Sequence, residues 1–112
     1  MRLLSGQQAW LLQRITAVYL ALFTVLALGY FVFFSPTSHA SWIAFVGHPV
    51  VGLATALGVL ALLLHAWIGL RDVIMDYVHP FGTRLTVLIL SATGLLVLGL
   101  WAFAILFKAW LS

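Results

Sequence analysis

Residues 50–78 read VVGLATALGVLALLLHAWIGLRDVIMDYV, and the change of character within this run decides the fold. No position from Val50 to Leu64 carries a formal charge. His65, Arg71, Asp72, Asp76 and Tyr77 then follow, and the two aspartates are the chain's only acids. A membrane-crossing helix needs about 20 mostly apolar residues, which Val50 to Asp72 supplies, with a polar extension to Val78.

The rest of the chain fits the same solvent. It is 65% hydrophobic and 6% charged over 112 residues, with mean hydropathy +1.22, whereas soluble domains are about a quarter charged. Two further stretches are long and apolar enough to span, Leu12 to Phe34 and Leu85 to Phe107. The expectation is an all-α integral membrane protein: one domain over residues 1–112, with three transmembrane helices at about 12–34, 50–78 and 85–107, set in a larger helical bundle. The first span is too long for a removable signal peptide and lacks a small-residue cleavage site, so it is expected to be permanent.

Several chemistries are excluded. The absence of cysteine rules out disulfides and cysteine-held iron–sulfur clusters within this chain. Gly-rich phosphate loops and the His-Glu-x-x-His spacing are missing. The net charge of +3 reflects membrane orientation rather than nucleic-acid binding: Arg2 and Arg14 flank the first span, and Arg71 and Arg84 flank the second connection. The first connection, SPTSHASWIAFVGHP (35–49), has no formal charge. The positive-inside rule then puts the N-terminus and second connection in the cytoplasm, against the single vote of Lys108. Pro36, Pro49 and Pro80 punctuate the helices, because proline lacks the donor a continuing helix needs.

On a helix, Gly58, Ala61, His65, Gly69, Asp72 and Asp76 recur at three- or four-residue steps and share one stripe. Small residues there let a second helix or a flat ligand approach. His65 lies about 10 Å inside the cytoplasmic boundary, where an imidazole needs a partner. Two readings stand side by side: a hydrogen bond to a neighbouring helix, or ligation and proton relay. Room beside Ala61 and Gly69 suits a planar macrocycle, and neutral imidazole is a usual haem ligand. With one deep histidine here, a second axial ligand would come from another subunit. His39, His48 and His79 lie at connections and read as solvated or capping groups.

Asp76 and Tyr77 fall about 17 Å beyond His65, at the interface. The phenol there is either an interface anchor or a hydrogen-bond donor to a quinone carbonyl. The carboxylate is either solvated, or paired with Arg71 or Arg84, or it orients the tyrosine and conducts protons. Arg14 either snorkels to headgroups or pairs with a carboxylate such as a haem propionate.

The strings WLLQRITAVYLAL (10–22) and HAWIGLRDVIMDYVHP (65–80), together with the three spans, resemble the hydrophobic membrane-anchor D subunits of succinate dehydrogenase, the succinate:quinone oxidoreductase of respiratory complex II. The resemblance covers nearly the whole chain. It implies that His65 is an axial ligand to the iron of haem b, that Arg14 lies near the haem propionates, and that Tyr77 serves the ubiquinone site with Asp76 in support. It also implies a non-catalytic membrane-anchor role beside a cytochrome b556 C subunit, an iron–sulfur subunit and a flavoprotein subunit. The setting would be a bacterial cell inner membrane, or the mitochondrial inner membrane for a eukaryotic source. Two rivals remain: a haem-free anchor of a fumarate-reductase-type complex, and a small transporter subunit passing protons along His65, Asp72 and Asp76.

Overall fold

The computed structural model describes residues 6–112, and among them it contains helices only. Arg2, part of the orientation expectation, lies outside the described residues. Four helices follow in order: α1 Gly6–Phe33, α2 His39–Gly47, α3 Pro49–Tyr77 and α4 Phe81–Leu111. α1, α3 and α4 are each long and apolar enough to cross a membrane. Helices are the expected solution, since lipid offers no partner for a backbone N–H or C=O and a helix satisfies both internally. All three run past the expected apolar limits at one or both ends, because polar end residues continue the hydrogen-bond ladder into the interface.

The helix α2 was not anticipated: residues 35–49 read as a plain connection. Its nucleus is a capping box, in which the Ser38 side chain accepts from the Ser41 backbone N–H and the Ser41 side chain accepts from that of Ser38. Ser at the third helical position takes the place of the usual Glu or Gln. A single residue, His48, separates α2 from α3; it is the N-cap of α3, accepting from the Val50 N–H at 3.2 Å, with Pro49 in the first turn. His48 is therefore a cap, as read from sequence. His79 is exposed, and Val78 and Pro80 occupy the cap positions instead.

α3 is the central element, packed against both α1 and α4, while α2 covers the junction of α3 and α4. The bundle is elongated, 50 × 25 × 24 Å. Burial of apolar surface does not drive helices together in lipid, so close van der Waals packing at small residues must. Gly58 faces the Phe23 ring, Gly99 faces Leu63, Gly52 faces the Trp110 indole and Gly47 abuts the Ala109 carbonyl. Val46, Leu106 and Ala109 form the α2–α4 core. Tyr30 stacks on Phe45 at 4.3 Å between ring centroids, tying α1 to α2. At the tight α3–α4 turn, Arg84 donates from Nε to the Val78 carbonyl at 2.8 Å and from a terminal nitrogen to that of Met75 at 3.4 Å. These bonds satisfy carbonyls left open by the end of α3.

Candidate functional site

α1 and α3 run antiparallel, so the N-terminal end of one and the C-terminal end of the other flank a common cleft of about 480 Å³. Arg14, Gln13 and Trp10 line it from α1, and His65, Arg71 and Asp72 from α3. Two of the sequence-derived candidates, His65 and Arg14, thus share one site. Tyr77 and Asp76 do not line it. Both are exposed at the end of α3, with Tyr77 77% accessible, and about 18 Å of helix separates Tyr77 from His65.

Geometry decides which nitrogen of His65 is free. Its Nδ1 lies 3.1 Å from Oγ1 of Thr16, a buried α1 residue. Nε2 has no partner among the described residues. Both readings of this histidine therefore have a counterpart: one ring nitrogen makes an interhelical hydrogen bond, and the other remains as a lone donor atom. Among the described residues no group of three or more His, Asp or Glu side chains could enclose a metal ion. The cleft can supply one nitrogen ligand and no full coordination shell.

Along the small-residue stripe Gly58 and Ala61 are buried and Gly69 is half-buried, and α1 is the neighbour at both glycines: Phe23 lies against Gly58, and a Cβ at Gly69 would make ordinary contact with Gln13 Nε2 at 3.5 Å. The glycines admit a helix there, so room for a planar ligand must lie along the open cleft. Gln13 also leaves its Oε1 buried without a hydrogen-bond partner, an acceptor available to a donor entering the cleft.

The charged groups sort differently from the pairings weighed for Asp76. Arg71 reaches Asp72 at 3.4 Å, the only ion pair among the described residues, and Arg84 serves backbone carbonyls. Neither arginine pairs with Asp76. Arg14 lies over the Trp10 ring with 5.4 Å to its centroid, a cation–π contact that leaves its forked donors free. Thr16 escaped the sequence reading: its place two residues after Arg14 carries no chemical signal until the register of α1 on α3 is known.

The fold and cleft define a class: a small three-span helical membrane subunit that presents one histidine and two arginines, one of them paired with an aspartate, between two helices and leaves most of its apolar surface for lipid or partner chains. The chain belongs to the succinate dehydrogenase/fumarate reductase transmembrane subunit family, whose model matches residues 1–107. It is 31% identical over 104 residues to the succinate dehydrogenase hydrophobic membrane anchor subunit of Coxiella burnetii (strain RSA 493 / Nine Mile phase I), covering 93% of this chain and 90% of that protein.

Proposed function

We propose that this subunit anchors the catalytic subunits of a succinate:quinone oxidoreductase to the membrane, supplies one axial ligand to a shared haem b, and forms part of the ubiquinone-reduction site. The observation that carries this reading is the meeting of His65 and Arg14 in one cleft, with a single ring nitrogen of His65 uncommitted. Those residues fit half of a haem site. His65 would hold the haem iron through Nε2, Arg14 would bind its propionates, and a further histidine ligand would come from a cytochrome b556 C subunit. The bound group would supply one-electron redox chemistry beside the quinone site.

Tyr77 and Asp76 act at the other part of the site. The exposed phenol donates a hydrogen bond to a quinone carbonyl, stabilising charge that builds on that oxygen during reduction. Asp76, adjacent and without an ion-pair partner among the described residues, orients the phenol or passes protons toward it. Full reduction takes two electrons and two protons, and the electrons come from succinate through a flavoprotein and an iron–sulfur subunit. The orientation is N-terminus in the cytoplasm, supported by Arg14, Arg71 and Arg84 falling at one end of the bundle and Lys108 at the other. The bacterial source of the relative supports a cell inner membrane.

The proton-path alternative is disfavoured, because Asp76 lies outside the cleft that holds His65 and Asp72. A haem-free anchor is separated by a reduced-minus-oxidised spectrum of the purified complex. Sharp b-type bands are expected on dithionite reduction; a complex without Soret absorption beyond that of its flavin and clusters contradicts the haem role.

A further inference from the structure

Thr16 is buried in α1, and its hydroxyl carries one hydrogen. Two acceptors surround that hydrogen: the carbonyl oxygens of Leu12 at 2.9 Å and Gln13 at 3.1 Å. Neither carbonyl can donate. A helical threonine commonly gives its proton back to the preceding turn, which leaves only lone pairs facing Nδ1 of His65 at 3.1 Å. With the hydroxyl proton given to a backbone carbonyl, the 3.1 Å contact places a hydrogen on Nδ1. The neutral ring then has its lone pair on Nε2.

We propose that Thr16 is a positioning residue that fixes His65 in the Nδ1–H tautomer and in one ring orientation, so that Nε2 is presented as a ligand toward the α1–α3 cleft. The inference rests on the haem-ligand reading of His65 and adds to it the residue that selects the ligating nitrogen. Ligating histidines usually give their second N–H to a carboxylate, a carbonyl or water. A hydroxyl already anchored to its own helix does the same work within the bilayer without burying a charge, which is expensive there. It also couples the ring to α1, the helix that carries Arg14, so that the two groups facing the ligand move as one unit.

The test uses the whole complex carrying Thr16→Val, which keeps the shape and removes the hydroxyl, and Thr16→Ser, which restores it. Thr16→Ala gives a second reading of the loss. Measurements are normalised to assembled complex. Expected for Thr16→Val and Thr16→Ala are transfer of haem to excess apomyoglobin on the order of 10-fold faster than wild type, and a shifted low-field g value of the oxidised haem, because the ring is no longer held. Thr16→Ser retains the wild-type rate and spectrum. Wild-type behaviour in Thr16→Val and Thr16→Ala, or equal change in Thr16→Ser, overturns the role of Thr16. Failure of the underlying reading has a different signature: a wild-type complex without b haem, or a His65→Ala complex with an unaltered haem signal.

Discussion

The phenol of Tyr19 in α1 donates a 2.5 Å hydrogen bond to the backbone carbonyl of Ala54 in α3, and it joins the two helices that form the cleft. Tyr19→Phe keeps the ring stacked near Phe23 but loses this bond. Interhelical hydrogen bonds in membranes are worth about 0.6 kcal/mol on average and up to about 1.7. The variant complex is expected to unfold at a lower temperature in detergent, with its assembly intact; an unchanged midpoint contradicts the role of the bond.

Gly47 separates α2 from α4 by less than a methyl group. A Cβ there would lie 2.7 Å from the Ala109 carbonyl oxygen, and a backbone atom cannot swing aside as a flexible side chain does. Gly47→Ala is expected to destabilise the subunit by about 1–3 kcal/mol. Gly94→Ala is the control, since nothing lies within 4 Å of a Cβ at that position. Chemical denaturation of the two variants in the same detergent checks the difference, and equal midpoints contradict it.

Arg84 holds the α3–α4 turn through two carbonyls. Arg84→Ala leaves them to water or lipid headgroups, at about 1–3 kcal/mol for charge-assisted bonds. Hydrogen exchange should rise in the turn around Val78 to Pro80 and the last turn of α3, while the α2–α4 contact keeps its protection. Uniform loss of protection across the bundle would show that Arg84 supports the whole fold instead of the turn.

Tyr77→Phe removes only a hydroxyl from a residue that is 77% exposed, so stability should change by less than about 0.5 kcal/mol. Quinone reductase activity is expected to fall at least 10-fold, about 1.4 kcal/mol in the barrier, while succinate oxidation by a soluble dye remains near wild type. Equal loss of both activities points to failed assembly and counts against a quinone contact.

Much of the architecture was legible in the sequence. The three spans follow from apolar length, Pro49 marks the start of α3 and Pro80 its close, because hydropathy and backbone donors are properties of single residues and short windows. α2 was hidden: its capping box uses Ser41 where Glu or Gln is the usual signal, and its nine residues are too few for a periodic pattern to stand out. His65 was legible as a polar group deep in an apolar run, and Arg14 as a cation at a helix start. Their convergence was not, nor was the occupation of the Gly58 and Gly69 notches by Phe23 and Gln13. Those facts depend on the sliding and rotation of α1 against α3, which small-residue spacing permits in several registers. Thr16 shows the limit most plainly, since its hydroxyl matters only through the imidazole it meets 49 positions away.

The ligand role of His65 is tested most directly by haem content and spin state, measured per assembled complex by pyridine haemochromogen and low-temperature absorption, in wild type and His65→Ala. The imidazole reading expects a low-spin b haem in the wild type. In the variant it expects either loss of haem or conversion to a five-coordinate, high-spin spectrum. A His65→Ala complex with full haem content and an unaltered low-spin spectrum would contradict it.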